Sequence, residues 1–555
     1  MNMIEIVCTN KENIRKKYAM GTTLSFIADD LNINLQYPIL AAKVNNEVKS
    51  LQYEIYKSKV ITFFDVSHIS GYAVYERSMY FLLYKAVKDL YPQEDIIIKY
   101  SIVGGKYCKF ENPNFEVSEA VVTAILTRMK ELVAADIPFV RKQMLSDEAI
   151  ALYEQKGLMD KKELLKHRKI FYTSVYYLDD TPNYFFGCLV PSTAYLTLFD
   201  LIKFESGLLL RMPSRHEPSK LMKLRESPKL FSVFKEHKAW NDILEIPYAG
   251  ALNEAVKKGR STEILLLAEA LQEKKISSIA DNIAARENVK MVLLSGPSAS
   301  GKTTICKRIS VQLGVLGFKP VQISMDNYFV EREFTPRDKY GNFDFEHIDA
   351  IDLDLFHEQI ADLFAGKEIK IPTYDFHEGK KVWKGNTLQL HKNSILVIEG
   401  IHCLNPLLTQ TLDPEVVFKV FVSALTSIAM DKQNPIHSND NRLIRRIVRD
   451  YRYRGYSATD SLCRWASVRK GEEKWIFPFQ EEADMMFNSA ILCELSILKP
   501  FAMPLLNEVM EISSEYTEAM RLKKLLSYFI EIPETDVPHS SILREFFGGS
   551  VFSYK

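Results

Sequence analysis

The sequence predicts a multidomain chain of α/β and α+β class whose last large unit is a parallel sheet with a phosphate-binding loop. Three observations predict it. The length, 555 residues, is enough for roughly three to four domains. Near residue 288 the pattern changes, from short mixed strands and helices to strand-length apolar runs separated by helical stretches. That alternation is the mark of a parallel sheet with helical crossovers. Finally, a loop bounded by glycines, Gly296-Pro297-Ser298-Ala299-Ser300-Gly301-Lys302-Thr303, follows the first of those runs and precedes a helical stretch.

Composition narrows the function classes. Hydrophobic residues make up 47%, and Lys+Arg and Asp+Glu both number 71. The balance disfavours a dominant nucleic-acid or polybasic membrane role. No apolar run reaches membrane-spanning length, and the first residues lack a signal-peptide core. The seven cysteines are scattered with no CxxC pair, so neither a disulfide framework nor a cysteine zinc cluster is expected. A cytoplasmic location is the expectation.

The elements follow in order. Strands are expected at 4–8 and 60–64, a helix over 22–31 with Leu24, Ile27, Ala28 and Leu31 on one face, and a hairpin around Asn45-Asn46. These make a small β-rich unit, 1–66. A second unit, 67–225, opens with a helix over 75–90 stopped by Pro92, then a helix over 118–134 and strands near 169–177 and 207–211. Residues 226–287 carry a helical stripe (Ile264, Leu267, Leu271, Ile279, Ile283) and form a connector. The parallel-sheet unit spans 288–499, and 500–555 is a helical tail.

The loop matches GxxxxGK[ST], continued by Thr304. Its glycines let several amides converge on one anion, and the helix behind adds partial positive charge. Lys302 is expected to reach the β- and γ-phosphates and the Thr303 hydroxyl to ligate Mg²⁺. Asp326 lies just past the next expected strand, on the sheet edge where ligands sit. A carboxylate there can take a proton from an attacking hydroxyl. The run Ile395-Leu396-Val397-Ile398-Glu399 presents a second acid to a metal. In residues 441–455, Arg442, Arg446 and Arg449 share a helix face, with Arg445, Arg452 and Arg454 close by. They are expected to form a lid over the phosphates.

Taken together, residues 288–499 resemble the uridine kinase/phosphoribulokinase family. The ordered matches are the loop, the Asp326 segment, Phe345-Glu346-His347-Ile348-Asp349-Ala350, Pro372-Thr373-Tyr374-Asp375-Phe376, Glu399-Gly400 and the arginine run. The resemblance implies ATP-dependent phosphorylation of a nucleoside 5′-hydroxyl, with ATP and Mg²⁺ required. It assigns Asp326 as base and Lys302 as phosphate ligand. Gly296, Pro297, Ser298, Ala299, Ser300, Gly301, Lys302, Thr303 and Thr304 would hold the nucleotide. Glu346 or Asp344, Tyr374, Arg446, Arg449 and Arg454 would bind substrate, and Thr303, Asp326 and Glu399 would surround the metal. Where the family reads a pyrimidine with histidine this chain has Gly379, with His377 out of register, and Tyr456 replaces a final lid arginine.

The unit 1–66 resembles a TGS domain of β-grasp fold, on Gly21-Thr22-Thr23-Leu24 and residues 41–47. The unit 67–225 resembles the editing-type second domain of threonyl-tRNA synthetases, on Tyr75-Glu76-Arg77-Ser78 and Val190-Pro191-Ser192-Thr193. That domain's metal-type positions fall here on Arg77, Phe81, Phe185 and Leu189, so no zinc and no editing hydrolysis are expected. The resemblance implies RNA or small-ligand contact through the front half, and no membrane. Two alternatives stay open: an RNA- or ribosome-associated nucleotide switch, and a kinase of another hydroxylated metabolite such as a pentose phosphate.

Overall fold

The computed structural model describes residues 2–102, 104–338, 341–375, 378–426 and 428–554; Phe376 and His377 lie outside them. The first unit is a five-stranded mixed sheet in the order Ile14–Ala19, Met3–Cys8, Lys59–Phe64, Ala41–Val44, Glu47–Ser50. Alternation along Met3–Cys8 buries Ile4, Ile6 and Cys8 against the helix Leu24–Asp30, whose amide at Phe26 is capped by Thr23. The hairpin turns on Asn45 and Asn46, both at positive φ, a conformation asparagine tolerates.

In the second unit the opening helix is Ile69–Leu90, longer than its apolar stripe predicts. It is buried on nearly every face, so no polar face marks its first turns. A four-stranded antiparallel sheet (Asp200–Phe204, Gly207–Arg211, Gly105–Phe110, Ile96–Ile102) and a three-stranded one (Phe139–Leu145, Tyr172–Leu178, Thr181–Asn183) complete the unit. Phe81 and Phe185 pack with ring centroids 5.0 Å apart. Three helices follow: Pro228–Leu244, Ala249–Lys257 and Ser261–Ala284.

The last sheet is wholly parallel, in the order Lys319–Ser324, Ser394–Glu399, Met291–Ser295, Val417–Ser423, Met485–Asn488. Its central strand, Met291–Ser295, is buried at every residue, as expected of a strand covered on both faces. The position taken as the unit's end, 499, falls inside the helix Glu494–Asn507, which holds Pro500 and Pro504 in its interior. Burial of Leu495, Leu498, Ala502 and Leu506 offsets what two prolines cost a helix.

The units are locked together by buried polar groups. Lys161 is fully buried and reaches Asp431 (3.3 Å) and Gln433, on the turn after the fourth sheet strand. After the helix Tyr516–Leu526 the tail returns to the phosphate loop, where 541–547 are all buried. Among the described residues no helix is long and apolar enough to cross a membrane.

Candidate active site

The phosphate loop leaves the central strand at its C-terminal end. A Cβ on Gly296 would lie 1.9 Å from the Val422 carbonyl oxygen, and Gly301 sits at φ +83°, so the turn requires glycine at both places. The helix Lys302–Val315 starts at once behind it, aiming its first amides into the loop. Lys302 is half-buried there; its ammonium donates to the Pro297 carbonyl at 3.2 Å and forms no ion pair among the described residues. Burial lowers its pKa although Glu399, Asp326 and Glu545 lie within electrostatic reach. A cation drawn partly out of water with no acid paired to it is costly, and it fits a phosphate ligand.

Glu399 is the last residue of its strand and Asp326 begins the turn after its neighbour. The Thr303 hydroxyl donates to Glu399 at 3.4 Å and the Ser324 hydroxyl at 3.2 Å. Burial, then the charge of Asp326, push the Glu399 carboxyl up to about 7, against the pull of Lys302. The hydroxyl of Thr303 and these two carboxylates are hard oxygen donors, the chemistry that suits Mg²⁺.

The arginine run forms the helix Ser438–Arg454, and it divides into two groups. Arg442 and Arg445 are 2% and 0% exposed and brace the loop rather than close over it. Arg442 donates to the Ser298 carbonyl (3.0 Å) and pairs with Glu472, which accepts the Ser298 amide at 2.9 Å. Arg445 pairs with Glu494 and donates to Ser489, whose hydroxyl donates to the Ser300 carbonyl. Arg446, itself buried and donating to the Ser298 hydroxyl at 3.0 Å, gathers with Arg449 and Arg454 around buried Asp450. Arg449 is close enough to depress Lys302, and Arg454 feels Asp326.

Burial pushes the Glu346 carboxyl up to about 6, with Arg446 opposing and Asp344 adding to the shift. Glu346 packs on Gly471, where a Cβ would lie 2.3 Å from its own. Tyr374 is buried beside Phe329, with centroids 5.5 Å apart, and near Arg332. The two departures in sequence have structural partners. Gly379 has φ +71° and a Cβ there would lie 2.7 Å from the Arg332 guanidinium; the Arg464 guanidinium stacks 4.2 Å over the Tyr456 ring.

Sequence reasoning missed three carboxylates of the loop's surroundings, Glu472, Glu494 and Glu545. The Glu545 carboxylate, from the tail, accepts the Thr304 amide at 3.2 Å and the Thr304 hydroxyl at 2.5 Å. Tyr554 also meets that hydroxyl, at 3.0 Å, and Ile542 fills the space beside Gly301. No spacing or motif marks these residues.

Comparison with known proteins agrees with this geometry. Residues 291–494 match the family described as "Phosphoribulokinase / Uridine kinase family". A uridine kinase of Borrelia duttonii is 31% identical over 205 residues, 36% of this chain and 85% of that protein. The chain belongs to this family. Uridine-cytidine kinase B of Dictyostelium discoideum is 28% identical over 37% of this chain and 77% of its own length. A solved structure titled as a possible uridine kinase from Bacillus stearothermophilus is 21% identical, covers 39% of this chain and 98% of its own, and has a TM-score of 0.27. The family kinship makes this a kinase domain and implies use of ATP and Mg²⁺ over about a third of the chain.

Proposed function

We propose that the protein transfers the γ-phosphoryl group of ATP to the 5′-hydroxyl of a nucleoside. The observation that carries this reading is Lys302, half-buried and without an ion pair among the described residues, beside Asp326 and Glu399 at the C-terminal edge of a parallel sheet. Lys302 and the loop amides receive the β- and γ-phosphates of the donor. Asp326 accepts the hydroxyl proton as the oxygen bonds to the γ-phosphorus and the bond to the β-phosphate oxygen breaks, releasing ADP. Arg446, Arg449 and Arg454 gather the charge that develops on the moving group. Magnesium, held by Thr303, Asp326 and Glu399, would neutralise charge on the phosphate oxygens.

Glu346, Asp344 and Tyr374 are the residues assigned to the acceptor. Arg332, packed on Gly379 where a base-reading histidine is expected, favours a second reading in which the acceptor is itself anionic, such as a pentose phosphate. In front of the kinase we read 1–66 as a TGS-like β-grasp unit and 67–225 as an editing-like unit whose ligand positions are filled by Arg77, Phe81, Phe185 and Leu189. The boundaries at 66, 225 and 287 belong to the same reading, as does a cytoplasmic location.

The test is incubation with Mg·ATP and a panel of nucleosides, pentoses and pentose phosphates, with products identified by mass. A nucleoside monophosphate supports the first reading and a sugar bisphosphate the second. ATP turnover with no acceptor phosphorylated would refute both and favour the nucleotide-switch alternative.

A further inference from the structure

Buried cations in this protein are as a rule neutralised. Lys161 meets Asp431, Lys106 meets Glu76, Arg442 meets Glu472 and Arg445 meets Glu494. That is what the cost of burying charge demands. Where the second unit meets the helix Tyr516–Leu526 a different group stands, with Arg77, Arg168 and Lys524 half-buried and Arg141 exposed. Four cations gather there, from four separate segments: Arg77 on the helix Ile69–Leu90, Arg141 on the strand Phe139–Leu145, Arg168 in the turn after the helix Met159–Lys166, and Lys524. Among the described residues none of the four forms an ion pair with a carboxylate.

Their positions are held by aromatic rings and carbonyls. The Lys524 ammonium lies 4.8 Å over the Phe186 ring and the Arg168 guanidinium 4.2 Å over the Tyr528 ring. Phe186 and Tyr528 touch edge to face at 5.9 Å. Arg77 donates twice to the Cys188 carbonyl, at 3.1 and 3.3 Å, and Gly187 leaves room for it, since a Cβ there would lie 2.7 Å from the guanidinium carbon. Arg141 donates to the Ser174 hydroxyl at 2.9 Å. The Nε of Arg168 is buried with no hydrogen-bond partner. Burial first, then the charges of Arg168, Arg77 and Arg141, lower Lys524 to about 7. Lys302, in the phosphate loop, is likewise half-buried, lowered in pKa by burial and without an ion pair among the described residues.

We propose that Arg77, Arg141, Arg168 and Lys524 form a second anion site, separate from the kinase centre, that binds a small molecule through one or two phosphate groups. Guanidinium forks suit phosphate oxygens. The chain's zero net charge and the confinement of the cations to one cluster favour a small ligand over a nucleic-acid track. Filling the site would supply the missing counter-charge and return the Lys524 ammonium to its protonated form.

The experiment is calorimetric titration of pyrophosphate into the full chain carrying Lys302→Ala, which disables the kinase-loop lysine. Binding is expected to persist at one site per chain. It should weaken at least about tenfold, roughly 1.4 kcal/mol, with Lys524→Met or Arg168→Met, and be largely kept with Lys524→Arg. The heat at pH 7.5 should vary with the ionisation enthalpy of the buffer, because binding takes up protons; Lys524→Arg should abolish that variation. Should Lys524→Met not fold, as judged by its melting temperature, Arg141→Gln on the exposed strand replaces it, with a loss of at least about threefold expected. Absence of pyrophosphate binding to the Lys302→Ala chain overturns the proposal. So does binding that the cluster substitutions leave unchanged, since that locates the anion in the kinase loop. A short 5′-phosphorylated oligoribonucleotide binding far more tightly than pyrophosphate, with a steep salt dependence, overturns the assignment of a small ligand.

Discussion

Replacing Glu545 by glutamine should tighten nucleotide binding. Thr304 lies in the first turn of the loop helix, where amides have no partner within the helix and serve anions. In this structure the Glu545 carboxylate takes both the amide and the hydroxyl of Thr304. A phosphate that needs the amide must displace an anion already there. A hydrogen bond to a charged group is worth about 1.5–3 kcal/mol. A carboxylate left about 5 Å from a phosphate charge, at an effective dielectric of about 20, repels it by about 3 kcal/mol. Glutamine keeps the side-chain shape and an acceptor oxygen but removes the charge. We expect affinity for a non-hydrolysable ATP analogue to rise by about 10- to 100-fold, the lower part of that energy range. Glutamine is preferable to truncating the tail, because Ile542, Phe546 and Phe547 are all buried. Titration calorimetry on both proteins, with melting temperatures as the control for folding, measures it. Unchanged or weaker binding in a folded Glu545→Gln protein refutes the reasoning.

Further outcomes are expected. Asp326→Asn should lower kcat by about 10²–10⁴-fold while leaving affinity for ATP nearly unchanged; full turnover would remove Asp326 as the base. Because the Glu399 carboxyl is pushed up to about 7, kcat/KM at limiting magnesium should rise with pH across that value, and excess metal should move the midpoint down. The folded protein holds this proton where the unfolded chain, near 4.5, has released it, so unliganded stability should fall as pH rises between the two. Urea midpoints at pH 5 and pH 8, with Glu399→Gln flattening the slope, check the sign. Glu472→Ala strands the Arg442 guanidinium beside the Ser298 carbonyl and should cost about 3–5 kcal/mol, read as a fall in melting temperature, with Arg442→Met in the same chain restoring part of it. Gly379→His should lose about 1–2 kcal/mol from the positive φ alone and should not create uridine kinase activity, since Arg332 occupies the space beside it.

What could be read from the residues was local. The loop from Gly296 to Thr304 needs glycine where backbone approaches backbone, and a strand before it that is apolar throughout; both are written in consecutive letters. The positions of Asp326 and Glu399 were legible because Glu399 ends its strand and Asp326 lies two residues past the end of the neighbouring one, and strand ends of a parallel sheet share one edge. The hairpin at Asn45-Asn46 and the helix capped by Thr23 were legible for the same reason. Tertiary structure decided the rest. It separated Arg442 and Arg445, which neighbouring acids draw into the core, from Arg446, Arg449 and Arg454, though all five sit on one helix. It brought Glu545 to Thr304 across 241 positions, and set Lys524 against Phe186, in another unit of the chain. Charge and hydrogen bonding act through space at a few ångströms, whereas spacing in a sequence reports neighbours only within a helix turn or a strand. The nucleotide loop was therefore determined by the sequence itself. Which carboxylate guards it, and which cations were left without one, depended on how distant segments pack.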